Sequence, residues 1–466
     1  MIKYFYNNIF FKIKLKKGFF HYKVLGITFR KKKNNKFPTI DIQDPNQSFD
    51  TRKTDTEIQN LVLNHIKSEN IKLEKTTSNK RKIAFLATEL YDTGGHTECL
   101  KNVIKVLKND FKIGVFLSKI NASKKLYSKK LSEIQSDADL LAGIEFKGMY
   151  FQNEAINLFK KIQQYEPSTL FVFMHMDDSL NTAVIALVKE YTDTKIFYFN
   201  HGSHYPALGF SMSDASLECM PSTQYITEQK RLFKKCIRVN LPYTFEMDKK
   251  KYTQEEINQK KRDIGVLENN LCTVSGGMQY KFFDIDGSSY FELIKNLLKD
   301  KANLQHIILS NLSDDRLKTI KTIFKEDVDL LDRLIILPLS KDYNTILKCA
   351  DVFIDSFPVG SALTQIDVMR LKIPSVIKIN RDNIKYSFHE YLPKKYKYQT
   401  ESTTDMLLFI KELLENANIR KNIVEANYEF YKMNYEGNSV RDLYLRIINN
   451  HEKLIEKELP IGAYNA

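Results

Sequence analysis

IDSFPVGSALTQIDVMRLKIPSVIKI, residues 354–379, is the stretch from which the fold can be read. An apolar run (DVFIDSF, 351–357) breaks at Pro358 and Gly360. Residues 361–371 then read as a helix packed by Ile366, Met369 and Leu371 against a second apolar run at 374–380. Strand, turn, helix and strand in so short a span make a βαβ unit. Near-continuous apolar strands of this kind are buried on both faces of a parallel sheet. Gly360, Ser361, Ala362, Leu363 and Thr364 open the helix with little side-chain bulk, and Asp355 stands at the preceding strand end. Bare amide N–H groups and the positive end of the helix dipole there suit an anion, although N-capping alone would also explain Ser361 and Thr364.

The same texture extends in both directions. LCTVSGG (271–277), LQHIILSN (304–311) and RLIILPL (333–339) read as strands upstream, and 402–415, 418–433 and 438–457 read as helices downstream. Earlier still, KIAFLATEL (82–90), FKIGVFLS (111–118), TLFVFMH (169–175) and KIFYFNH (195–201) alternate with helical patterns at 95–108, 153–165 and 179–191. The expected class is α/β, with two Rossmann-like, doubly wound parallel-sheet domains facing a cleft. The boundaries expected are a segment at 1–36, a linker or packing arm at 37–79 and a first domain at 80–246. A charged connection at 247–270, a second domain at 271–433 and a C-terminal helix within 434–466 follow. Ligands of such sheets bind beyond the carboxyl ends of the strands, so candidates are sought there.

Four strand ends carry suitable chemistry. After the first strand, Gly94 and Gly95 permit a sharp turn into a helix, with His96 beside them; a tight β–α turn would need the same glycines. The full GxGxxG spacing is absent, which weakens a nicotinamide reading. At 200–204, Asn-His-Gly-Ser-His brings His201 to a strand end. Histidine is suited to accept a proton near neutral pH, so His201 is the first candidate base, His96 the second and Asp177 a rival, with His204 three residues beyond His201. In the second half, Gly277 follows a strand and Lys281 follows Gly277. That lysine is a point charge of the kind a diphosphate leaving group requires.

The 466 residues are 43% hydrophobic and 12% aromatic, which excludes a largely disordered chain. The formal charge of +14 (71 Lys and Arg against 57 Asp and Glu) is concentrated. Residues 1–36 hold eleven basic groups and no acid, and the rest is near +3. A nucleic-acid-binding protein would spread that charge over its body, so no nucleic-acid partner is expected. Nine aromatics interleave with the basic residues of 1–36, from Tyr4 to Phe29, and such a segment favours an anionic membrane surface. A solvated tail in a lysine-rich composition is the alternative. Five scattered cysteines without CxxC spacing fit a reducing cytoplasm, and no metal site is expected.

With these motifs in hand, QYKFFD (279–284) and the 354–379 stretch resemble the nucleotide-binding half of GT-B glycosyltransferases. The pattern is similar to that of O-GlcNAc transferase and the bacterial adhesin N-glucosyltransferases. TGGHTE (93–98) and residues 200–218 resemble the other half in enzymes of bacterial surface-polysaccharide assembly; together the resemblance spans roughly 80–430. It implies a transferase with a nucleotide diphosphate sugar as donor, a UDP-sugar first, and a glycan or lipid-linked acceptor of capsular or lipopolysaccharide type. No cofactor is required, and the enzyme would be cytoplasmic and peripheral at the inner membrane face. Lys281 would meet the β-phosphate, with Gly360, Ser361, Ala362, Leu363 and Thr364 as amide or hydroxyl donors. The chain departs in having Leu363-Thr364 where the family has paired threonines, and in lacking the E-x7-E spacing of many retaining members. A nucleotide-sugar 2-epimerase or a polyol-phosphate transferase would use the same fold.

Overall fold

In the computed structural model, two parallel sheets are laid down in sequence. The structure describes residues 37–459 apart from 45, 92–94, 127, 149, 244–250, 285–286, 341 and 381–387, together with the backbone of four strands within 1–32. Those four, β1 (Ile2–Tyr6), β2 (Ile9–Lys16), β3 (Phe19–Val24) and β4 (Ile27–Lys32), pair in order as an antiparallel meander.

The first large sheet contains β5 (Asn79–Ala87), β6 (Lys112–Leu117), β7 (Leu140–Gly143) and β8 (Pro167–Phe173). It continues with β9 (Lys195–Phe199), β10 (Ala215–Glu218) and β11 (Cys236–Arg238), in the spatial order β11-β10-β9-β8-β5-β6-β7. Alternate side chains take opposite faces. Phe85, Phe171 and Phe197 join one core with helix 95–107, while Leu86, Val172 and Tyr198 join another with helices 151–165 and 179–191. Both faces are therefore dry, as the continuous apolar runs require. The second sheet contains β12 (Leu271–Gly276), β13 (Leu304–Leu309) and β14 (Leu334–Leu337). β15 (Val352–Ile354), β16 (Ser375–Lys378) and β17 (Gln399–Thr400) complete it, in the order β14-β13-β12-β15-β16-β17.

In each sheet the first strand lies inside, and the winding direction reverses beside it, between β5 and β8 and between β12 and β15. Helices diverge on either side of such a reversal and leave a crevice at the strand ends. The quoted Gly95 follows β5 and Lys281 follows β12, at these reversals, while the His201 motif follows β9, one strand beyond β8.

Two further segments brace the first lobe. Helix 52–68 buries Ile58, Val62 and Ile66 against it, and Phe37 stacks on Phe151 at 4.6 Å, so the described part of 37–79 is a packing arm. The terminal helix 437–450 leaves the second lobe and returns to helix 95–107. Arg441 pairs with Asp110 there, and Tyr444 lies 5.5 Å from the Phe171 ring. Beyond it, Ile455 bridges to Ile237 of β11, extending the sheet edge. Helix 254–263 belongs to the second lobe: Ile257 is buried and Lys260 pairs with Asp342 at 2.8 Å. Among the described residues no helix is long and apolar enough to cross a membrane.

Candidate functional site

Lys281 lies in a short helical turn, Gln279–Phe282, after β12, and Gly277 makes its placement feasible. A Cβ at Gly277 would stand 2.9 Å from Lys281 Cδ, so glycine leaves room for the lysine stem to fold back. The ammonium reaches across to β15 and donates to the carbonyl oxygen of Gly360 at 2.9 Å. Behind it lies Asp355, fully buried, whose carboxylate accepts the backbone N–H of Ser356 at 3.0 Å and of Ser361 at 3.1 Å. Burial pushes the Asp355 carboxyl up to about 6 against the pull of Lys281, and the same desolvation lowers the Lys281 ammonium. Helix 363–370 begins immediately beyond, with Ala362, Leu363 and Thr364 partly exposed at its mouth. The first N–H groups of any helix lack an intrahelical acceptor, so this mouth is a donor-rich concavity beside an ammonium. The Thr364 hydroxyl also accepts from Tyr343 at 3.0 Å, which holds it in place.

The facing wall belongs to the first lobe. Gly95 approaches so closely that a Cβ on it would lie 3.3 Å from Leu363 Cδ1. His96, the next residue, donates from Nε2 to the carbonyl of Phe173 at 3.0 Å, and its Nδ1 is buried without a hydrogen-bond partner. The His201 ring lies 4.2 Å from the His96 ring, and its Nδ1 donates to Phe199 O at 3.3 Å, leaving Nε2 as the lone-pair nitrogen. Burial lowers His96 to about 4. Burial first, then His96, His175 and Arg231, hold His201 well below the usual histidine range. Both rings are therefore neutral acceptors. His175 joins them, its ring 6.4 Å from that of His96 and its Nε2 2.7 Å from the Tyr91 hydroxyl.

Between the walls is a cavity of about 380 Å³. His96, His201 and His204 line it from one side, Tyr280, Ala362 and Leu363 from the other, and Phe388 and Tyr391 close it beside Ser222 and Thr223. Among the described lining residues none is Asp, Glu, Lys or Arg. The two lobes are joined at its rim, where Glu390 accepts from the backbone N–H of Ser222 at 3.1 Å and from its hydroxyl.

Of the residues proposed from sequence, Gly95, His96, His201, Ala362 and Leu363 line this cavity. Gly277, Lys281, Gly360 and Thr364 are not among its lining residues. Asp355 and Ser361 are buried, the Ser361 N–H being taken by the Asp355 carboxylate instead of being free for a ligand. Asp177 is exposed and does not line the cavity. Its neighbour Asp178 is a helix cap, accepting from Asn181 N at 2.9 Å and from the Thr88 hydroxyl. Gly94 lies outside the described residues. Phe388, Tyr391, Ser222 and Arg231 were not foreseen; Ser222 sits in the first turn of helix 221–229, Arg231 just beyond that helix and Tyr391 in a short helical turn at 389–391, none with a motif of its own. His175 ends a quoted strand and was within reach of the same strand-end argument.

No family model and no curated protein matches the sequence. Solved structures resemble it in fold. A glycosyltransferase from Rickettsia africae aligns with a TM-score of 0.64 at 13% identity, over 80% of this chain and 100% of that one. HepE from Anabaena in complex with UDP gives 0.61 at 12%, over 79% and 99%. A variant O-GlcNAc transferase from Thermobaculum terrenum gives 0.54 at 10%, over 87% and 75%. At such identities the likeness is one of architecture, and that architecture is GT-B: two Rossmann-like lobes facing a cleft.

Proposed function

We propose that the protein is a glycosyltransferase that moves a sugar from a nucleotide diphosphate donor, a UDP-sugar first, to a hydroxyl of a glycan or lipid-linked acceptor. One observation carries the reading: the Lys281 ammonium reaches Gly360 just before helix 363–370, and Ala362 and Leu363 at the opening of that helix line one cavity with His96 and His201. A diphosphate seated there would meet the ammonium and the free amides, which would stabilise the charge that develops as it leaves; in this reading no metal is needed. The acceptor oxygen would attack the anomeric carbon, the bond from that carbon to the phosphate oxygen would break, and the acceptor proton would pass to Nε2 of His201. Displacement from the face opposite the leaving group inverts the anomeric centre. The negative donor would also raise the depressed His201 towards neutrality, matching the base to its task only when substrate is present.

The basic, aromatic segment 1–36 supports attachment to an anionic membrane surface on the cytoplasmic side. Such a surface would present a surface-polysaccharide or lipopolysaccharide precursor to a soluble donor. The test of the donor site is a thermal-shift series with UDP, GDP and CDP. UDP is expected to raise the melting temperature, Lys281→Ala to abolish the shift, and His201→Ala to keep the shift while losing transfer. No shift with any nucleotide, or full transfer by His201→Ala, contradicts the reading.

A further inference from the structure

The His201–Gly202–Ser203–His204 loop is held from behind by a buried arginine. Arg231 follows helix 221–229 and is 3% exposed. One guanidinium nitrogen, Nη2, donates to the carbonyls of Gly202 at 3.0 Å and Tyr205 at 2.7 Å, spanning the loop; Nη1 donates to the Thr227 hydroxyl at 3.1 Å. That hydroxyl also receives Asn200 Nδ2 at 3.2 Å, and the same Asn200 amide donates to the buried carboxylate of Glu218 at 2.8 Å. The guanidinium plane rests over the Phe210 ring at 4.5 Å. Both ends of the loop are thus anchored to one network. A full charge has been placed in a dry site at considerable desolvation cost, which two chain carbonyls and an aromatic face offset.

We propose that Arg231 is a positioning residue for the transfer reaction: its guanidinium fixes the carbonyls of Gly202 and Tyr205, the residues that follow His201 and His204, and so aims the base at the acceptor. The inference rests on the proposed role of His201. A lysine could keep the charge but not the forked geometry, and a neutral residue would lose both. The charge has a second effect. His96 from helix 95–107, His175 from the end of β8 and Arg231 are the titratable groups that act on His201, and each disfavours its protonated form. Removing the cation makes His201 easier to protonate, so the acid limb of activity moves to higher pH.

The experiment measures UDP release from UDP-glucose against pH for the full chain, Arg231→Lys and Arg231→Gln, with the UDP thermal shift recorded for each. Both variants are expected to keep the UDP shift and the donor KM and to lose about 10- to 100-fold in kcat, as misplacement of a reacting group by an ångström does. Arg231→Gln should in addition shift its acid limb to higher pH, and guanidinium well below unfolding concentrations should partly restore both its rate and its limb. Arg231→Lys should leave the limb unmoved. Wild-type kcat in Arg231→Lys, or an unshifted limb in Arg231→Gln, overturns the proposal, and the lysine variant decides alone if the glutamine variant does not fold. Absence of a UDP shift in the unmutated protein instead contradicts the donor-site reading, and full activity in His201→Ala contradicts the base.

Discussion

At the scale of single residues, Gly202 shows how little freedom the site has. A Cβ there would stand 1.8 Å from Met176 Cε and 3.1 Å from its Cγ, so Gly202→Ala forces either the methionine or the loop to move. Overpacking of this kind costs about 1 to 3 kcal/mol. The expected outcome is a lower melting temperature together with a loss of turnover. Equal melting temperatures for Gly202→Ala and the parent would contradict the packing argument. The glycine, the histidines and Lys281 were legible in sequence because a buried strand delivers its next residues to the crevice whatever its partners are. Arg231 and Tyr391 were not, since each reaches the site through contacts between residues distant in the chain, and an arginine or tyrosine in a loop carries no periodic signal.

At the scale of elements, continuous apolar strands were readable and short polar ones were not. Runs such as TLFVFMH announce a strand with two dry faces. β10 instead buries Ser216 and Glu218, whose side chains bond to each other at 2.5 Å, and β17 has only two residues. Short strands of this sort, β17 at its sheet's edge and β10 between β9 and β11, form because neighbouring strands offer a ladder, not because of their own composition. Helix 52–68 is a related case, docked through one buried acid. Asp55 is 1% exposed and accepts from Gly209 N at 2.8 Å and from the Ser211 hydroxyl at 2.7 Å, which ties the arm to the chain just past His204. Burial raises its carboxyl to about 6, so between about 4 and 6 the folded state binds more protons than the unfolded one and stability falls as pH rises. In urea unfolding from pH 4 to 7, that slope should flatten in Asp55→Asn by up to about 3 kcal/mol. An unchanged slope would mean that Asp55 does not titrate in this window.

At the scale of the whole molecule, charge is divided between a basic segment and a nearly neutral body. Vesicles containing phosphatidylserine should retain the full chain and release it as salt is raised, because exposed charges are screened within about 10 Å at 0.1 M. The chain lacking 1–36 should stay in the supernatant with its UDP shift intact, and retention of the truncated protein would place the membrane contact elsewhere. The returning C-terminal helix sets an order of events during synthesis. Val440, Tyr444 and Ile447 are buried where helix 437–450 meets the first lobe, so the lobe translated first is covered by a helix translated after the second lobe. Until that helix has been made, that face is open to chaperones and proteases. Maturation of the first lobe therefore waits on synthesis of the second.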